Sequence, residues 1–504
     1  MLGVFRIGFG LTLLYDLLRR APDARLLWSS DGVLSSEALG KMPQSVPQWS
    51  LLLGLTSAAQ VQAAFGVLGA IFALYTLGLF TRVMQVLVLI GYVSLNSRNL
   101  FFEDGGTGCC VLLAIWTLLL PLGDRFSLDA LRREAKLPTI AQRVAKRAEV
   151  ALPVVSLAAF AVLLQAATIY WLNAAHKSGH TWRVGDAVHL VLWQHRVNTP
   201  FALWLSAHEP SWFSPLMTWA TVRTEFLLPV LLLWPSYQKV TRSVAFVLAL
   251  LLHGGIALCL TLGPFSYAMI CLVWLSVPGS ALDELSERLP ERWGTRFARF
   301  RARLLSRLAR RLARPGKAAK ASRRRSAPLA IRLGRHSVPL REVAISVMML
   351  AETCDILSQN RAIPPWLRVR GDSWAVLYKP YVRARQGWSM FAPNAPEDDG
   401  TMVIDAVTEG GRHIDPFTGQ APDFEAVRRG LVPHSIAVSD YLFNMRNKDN
   451  TRYRRELKRY FRSLRYDGQR LVSSEQWWVS YTPPPRGSTE AGPIQKELIW
   501  KMKL

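Results

Sequence analysis

The side chains best placed for chemistry sit in apolar surroundings, where an ionisable group is costly and is kept for a reason. The densest group lies between Tyr170 and Trp182 and contains Asn173, His176, Lys177 and His180. Other members are Arg98, Glu103 and Asp104, the neighbours Arg223 and Glu225, and His253. Lys177 has two readings. A lysine at a helix end can snorkel to lipid headgroups or neutralise the carbonyl end of the helix. A desolvated lysine loses its proton more readily and becomes a general base. Glu225 reads either as part of a site or as a buried partner of Arg223 or another cation. His253 reads either as a site residue or as a satisfied histidine between helices. His176 and His180 stand four apart and could share a metal, but no third ligand accompanies them, so no metal site is expected. The five cysteines include the adjacent pair Cys109 and Cys110 and no CxxC, which fits small buried side chains better than redox or metal chemistry. GxSxG, HExxH and P-loop patterns in their required context are absent from the sequence.

These residues need a scaffold, and the composition indicates one. Of 504 residues, 50% are apolar, 19% are charged and 18 are Trp, which excludes a disordered chain or a small disulfide scaffold. Mean hydropathy is only mildly positive, as for a membrane block joined to polar segments. Nine stretches are apolar enough to read as spans: Leu2–Leu18, Val61–Phe80, Val83–Leu95, Gly108–Leu120, Val150–Leu172, Met217–Trp234, Val244–Leu262, Phe265–Val277 and Glu342–Leu357. The net charge of +25 is concentrated. Between Asp283 and Arg341 eighteen Lys/Arg face four acids, so fourteen of the excess charges lie in one loop beside the spans. That pattern marks a cytoplasmic loop rather than a nucleic-acid surface. The loops after spans four and six are basic on the same side. The amino terminus is then cytoplasmic and the carboxyl tail lies across the membrane. Residues 292–314 read as a basic amphipathic helix on the inner leaflet. Residues 184–212 are apolar yet carry Asp186, His189, His195, Arg196 and His208, and read as an interfacial or re-entrant segment on the outer side, which survives at that depth only where protein or water covers it.

The expected architecture is a mainly α polytopic bundle of about nine transmembrane helices with a small β-containing extracytoplasmic domain. Its parts are 1–282 (spans one to eight), 283–341 (basic loop), 342–358 (span nine) and 359–504 (α/β or β-rich tail). In the tail, Thr401–Ala406 and Trp477–Tyr481 read as strands, and Asp423–Arg429 and Tyr453–Leu464 as helices. On this topology Lys177, His180 and Glu103 lie at the outer face and Glu225 somewhat less than halfway into its helix, so that one cavity could serve them all.

Several segments carry a resemblance. Asn-Ala-Ala-His-Lys-Ser-Gly-His-Thr-Trp (173–182) resembles the segment bearing the catalytic lysine of the vitamin K-dependent γ-glutamyl carboxylase family. His253 with Gly-Pro-Phe-Ser-Tyr (263–267) is similar to that family's His…Gly-x-Phe-Ser-Tyr segment. RIGFGLTLLYDLLRR with SSDGVL, NSRNLFFEDGGTG (96–108), WSMFAPN (388–394) and GRHIDPFTG (411–419) resemble bacterial members of the wider HTTM family. The resemblance covers most of the chain and rests on the order of these segments. It implies a helical membrane bundle with a β-rich domain on the extracytoplasmic side. It implies an enzyme of the inner membrane that couples oxidation and epoxidation of a vitamin K-type, menaquinol-like hydroquinone by O2 to carboxylation of a peptide or other carbon acid with CO2. Lys177 would be the base and His253 would line its cavity, with Asn173, His176, His180, Glu225, Arg98, Glu103 and Asp104 in support. Partners would be lipid, quinol and a secreted peptide or protein, with no nucleic acid. The chain departs from the pattern at Glu103-Asp104-Gly105-Gly106, where the carboxylase has an Asn/His pair, and its tail is shorter. Two other readings therefore stand beside this one: a maturation factor for a secreted peptide or protein without carboxylation, and an inactive ligand-binding relative.

Overall fold

A computed structural model describes residues 1–41, 49–137, 142, 157–281, 284, 328–369, 379–384, 386–397, 399–488 and 490–504. Its frame is a set of long helices: α1 (Leu2–Arg20), α2 (Ala58–Leu77), α3 (Thr81–Arg98), α4 (Gly105–Thr117), α5 (Leu157–His176), α6 (Phe213–Leu233), α7 (Gln238–Cys259), α8 (Phe265–Trp274) and α9 (Pro328–Gln359). Consecutive helices run in alternate directions. At one end Arg6 donates to the Leu122 carbonyl (2.8 Å), and Asp129 accepts from the Thr81 amide and hydroxyl (both 2.7 Å). Local chemistry sets the helix limits. α2 starts at a Ser57/Gln60 capping box and stops at Gly78, whose φ of 69° suits glycine. α4 starts at an Asp104/Thr107 capping box.

Four of these helices, α2, α5, α6 and α7, are long and apolar enough to cross a membrane. Among the others, α4 and α8 fall short in length and α1 in its charges. α4 and α8 have 13 and 10 residues, about 20 and 15 Å against a hydrocarbon core of about 30 Å. α1 carries Arg6, Asp16, Arg19 and Arg20. Those charges are satisfied inside the protein: buried Asp16 accepts from Arg19 (3.0 Å) and Tyr92 (2.9 Å) and pairs with Arg20 (2.7 Å), which also holds Asn96 (2.9 Å). α9 begins well before the expected start at Glu342. Exposed apolar side chains cover the outside of the bundle, with Trp171, Trp204 and Trp212 toward one end and Phe80, Phe126, Trp234 and Tyr237 toward the other. Trp212 and Trp234 flank α6 and are 22 residues apart, about 33 Å of helix. This matches the two aromatic belts of a membrane protein.

The tail packs on the opposite end of the bundle from Arg6. It is an antiparallel sheet of β1 (Asp399–Thr408), β2 (His413–Ile414), β3 (Arg465–Tyr466), β4 (Gln469–Tyr481) and β5 (Gln495–Lys503). The order is β2-β1-β4-β3, with β5 also pairing β4. Asp399 opposes Tyr481. Two helices, α10 (Ile436–Arg446) and α11 (Arg454–Ser463), bury Tyr441, Leu442, Leu457 and Phe461. The tail and bundle share one hydrophobic core, in which the Phe101 ring meets Tyr441 and Tyr453 edge-on at 5.3 and 5.0 Å. Both expected strands are present. The expected helix at Asp423–Arg429 is only a 3-10 turn at Val427–Arg429, ended by Gly430 with φ 68°. β5 escaped the sequence reading because its charged residues interrupt the alternation. Residues 184–212 do not span. They belong to short helices at His180–Val184, Ala187–Leu192 and Pro200–His208 that are held by the tail. The amphipathic segment expected at 292–314 lies outside the described residues.

Candidate functional site

α5 ends at His176, and the next residue turns inward. Lys177 is 8% exposed, and its ammonium donates to both oxygens of Glu225 at 2.6 and 2.5 Å. Glu225 comes from the middle of α6, which packs along α5. The Lys177 nitrogen also lies 4.9 Å from the centre of the Trp182 ring, a cation–π contact. The snorkelling reading of Lys177 therefore fails. The structural alternative for Glu225, a buried pair with Arg223 or another cation, holds with Lys177 as the cation.

A second pair adjoins the first. The Tyr170 hydroxyl is 2.8 Å from His253 Nε2, and the His253 ring meets Phe265 edge-on at 5.5 Å. His253 is within electrostatic reach of Lys177, and Tyr170 of Glu225. Sequence reasoning missed Tyr170 as a member. Its signal was a phenol seven residues before Lys177, two helical turns back on the same face.

The tail closes this end. The Met390 amide donates to Asn173 Oδ1 (3.1 Å), and Trp182 Nε1 donates to the Phe391 carbonyl (2.7 Å). The Gly179 amide donates to the Pro393 carbonyl (2.9 Å), and Asn394 Oδ1 accepts from the Thr181 amide (3.2 Å). Asn173 is thus a clamp on the tail. His176 is structural as well: the Ala362 amide donates to its Nε2 (3.1 Å), which leaves Nδ1 to donate to the Leu172 carbonyl (2.7 Å). Both ring nitrogens are spent, and His180 points out exposed, so the pair does not come together as ligands.

A cavity of about 300 Å³ lies between the bundle end and the tail, at the low end of the range for small-molecule pockets. Phe101, Phe102, Phe265, Phe391 and Phe443 supply aromatic walls, and Arg19, Arg196, Glu103, Asp104 and Asp440 supply charges. The expectation of one shared cavity needs correction. Glu103 and Asp104 line this space, whereas Lys177, Glu225, His180 and His253 are not among its lining residues. One layer intervenes: Met390 and Phe391 face the cavity and hold Asn173 and Trp182 behind them. Glu103 is also paired to Arg383 (3.2 Å). Arg98 lies apart, fully buried, and donates to the Leu34 carbonyl (2.8 Å).

The segment that carries Arg196 to the cavity is latched to the tail by histidine. His189 Nδ1 faces Glu209 and its Nε2 faces the Pro484 carbonyl (2.7 Å). Both partners accept, so both ring nitrogens must donate and the ring is an imidazolium. Burial pulls its pKa down, but the bond to Glu209, the Pro484 carbonyl and the charges of Glu209 and Asp186 outweigh it and raise the pKa above 6.5. A raised folded-state pKa gives stability that is fully present below the unfolded value and lost as pH rises through the folded one. Hydrogen exchange, corrected for intrinsic rate, should therefore show residues 482–488 loosening as pH rises from 6 to 9. His189→Asn should remove the pH dependence. An equal dependence in both proteins would contradict the latch.

Comparison with protein-family models finds no match, and comparisons with curated proteins and with solved structures find none.

Proposed function

We propose that the chain is a nine-span inner-membrane enzyme of the carboxylase-like class, with a cytoplasmic amino terminus and an extracytoplasmic tail. It moves a proton at the buried Lys177–Glu225 pair, with a reduced quinone of the vitamin K type as co-substrate and O2 and CO2 as the small reactants. One observation carries this reading. The segments 173–182, 253–269 and 388–394, which bear the resemblance, lie far apart in sequence yet meet around one buried ion pair.

The chain's own residues account for the proton handling. In the pair as it stands the ammonium is the donor and the carboxylate the acceptor, and low dielectric makes the attraction strong. Lys177 works as a base only when its proton has passed to Glu225, so the base is the pair and not the lysine alone. Trp182 fixes the ammonium from its ring face, and Phe391 fixes Trp182. Tyr170 and His253 form a hydrogen-bonded arm beside the pair. The aromatic walls of the cavity fit a flat quinol head, one residue layer from the pair. A bound hydroquinone would supply reducing equivalents and an acidic hydroxyl.

The charges of both signs in that cavity, and its place between tail and bundle, favour a second reading as a maturation factor that holds a secreted peptide there. Mass spectrometry of the protein extracted in mild detergent separates the two. A quinone near one per chain supports the first reading. A co-purifying peptide with no quinone, and no binding of added menaquinol, would sink it in favour of the second.

A further inference from the structure

A buried nitrogen beside the ion pair has nothing to bond. His253, on α7, is 2% exposed. Its Nε2 lies 2.8 Å from the Tyr170 hydroxyl, but its Nδ1 is buried with no partner among the described residues. Polar atoms buried in this way are rare and costly, so the free nitrogen calls for a physical account.

Counting donors and acceptors places the protons. Tyr170 is 1% exposed, and its hydroxyl has no other partner among the described residues. If Nε2–H donated to the phenol oxygen, the buried phenol proton would have no acceptor. If the hydroxyl donates instead, Nε2 is bare and that bond satisfies both groups. An imidazolium would strand the phenol proton in the same way. It would also be a second buried cation near Lys177, and both oxygens of Glu225 already accept from the ammonium. The ring is therefore neutral and carries its proton on Nδ1. That N–H still lacks an acceptor. The Phe265 ring meets the His253 ring edge-on at 5.5 Å and also lines the cavity, so one side chain is common to both.

We propose that Tyr170 is a positioning residue that holds His253 as the Nδ1–H tautomer, and that this N–H donates to a carbonyl- or phenol-type oxygen of a ligand that reaches it from the cavity past Phe265. The class of ligand rests on the quinol reading; the tautomer does not. His253 gives a hydrogen bond and keeps its proton, so a proton leaving the ligand still goes to the Lys177–Glu225 pair. Without the phenol, the ring is free to carry its proton on Nε2 and would then turn a lone pair toward the same oxygen.

The test uses the full chain in micelles with isotope-labelled histidine, read by nitrogen NMR, where bare and protonated ring nitrogens resonate far apart. The His253 signals are those lost in His253→Asn. The wild type should show Nδ1 protonated and Nε2 bare, and Tyr170→Phe should show Nε2 protonated. The probe is menadione, a quinone head with carbonyl oxygens and no donor. It should move the Nδ1 signal of the wild type and bind Tyr170→Phe up to about tenfold more weakly. His253→Asn keeps an amide donor near the Nδ1 position. In that background Tyr170→Phe should cost no further affinity, because the phenol acts through the ring; an equal loss in both backgrounds would make Tyr170 merely structural and overturn its positioning role. A wild type with Nε2 protonated would overturn the tautomer. Menadione that binds without moving the Nδ1 signal would overturn the donor role of His253. The expected tautomer with no menadione binding at all would support the first half of the proposal and overturn the second together with the quinol reading.

Discussion

Lys177→Met should destabilise the bundle by about 3–5 kcal/mol, and Lys177→Met/Glu225→Leu should recover most of the loss. The reason is the depth of the pair. Glu225 keeps its burial when the ammonium is removed, and a buried carboxylate without its cation costs about that much. Replacing both charges with apolar side chains of similar size removes the uncompensated group and the need to desolvate either ion. Thermal melting of the detergent-extracted protein by size-exclusion monitoring reads the effect. A single Lys177→Met variant as stable as wild type would show that the pair is not held as two buried ions. Activity separates from stability in a third variant. Lys177→Arg keeps a charge for Glu225, so it should fold, but guanidinium does not give up its proton. It should therefore oxidise no quinol. Full turnover in Lys177→Arg would end the base role while leaving the ion pair in place. Lys177→Ala leaves Glu225 in the same unpaired state, so it too should cost the bundle stability.

What the sequence showed and what it hid follow from the range of each signal. Helix periodicity and capping are local, so α2, α5, α6 and α7 are legible, and so are β1 and β4. Lys177 and Glu225 were each legible as costly groups in apolar segments. Their pairing was not, because 48 residues separate them and Arg223 offered a nearer cation. The rule that a buried charge needs a partner applied, but it does not name the partner. The same limit hid the buried amide exchange between Gln165 and Gln386, which bond reciprocally at 2.9 and 2.8 Å across 221 residues. Polar residues in apolar helices announce that a contact exists. Only the packing says with what. The cavity was misjudged for a related reason. Glu103 and Lys177 both sit near the tail-side end of the bundle, but Met390 and Phe391 arrive from the tail and stand between the cavity and the ion pair, and nothing in the spacing of spans reports on them.

Gly179→Ala should loosen the 386–397 strip from the bundle and lower activity without touching the ion pair directly. Gly179 has φ −75° and ψ 176°, which any residue can adopt, so backbone strain is not the constraint. The constraint is contact. A Cβ there would lie 1.9 Å from Asn394 Oδ1 and 2.5 Å from the Pro393 carbonyl oxygen. Asn394 is a side chain and can swing, but then the Thr181 amide loses its acceptor. Pro393 is backbone, and moving it breaks its bond from the Gly179 amide. Overpacking of this kind costs about 1–3 kcal/mol. The loss falls on the strip that joins Trp182 to Phe391 and Asn173 to Met390, so the ring beneath Lys177 loses its support. Limited proteolysis should cut residues 386–397 faster in Gly179→Ala than in wild type, while the melting of the bundle helices changes little. Adding Asn394→Ala removes only the closer collision. Partial recovery of protection in the double variant supports a two-contact clamp. Full recovery would show that the Pro393 carbonyl is not a fixed wall, and no change in Gly179→Ala would show that the tail is held by other contacts.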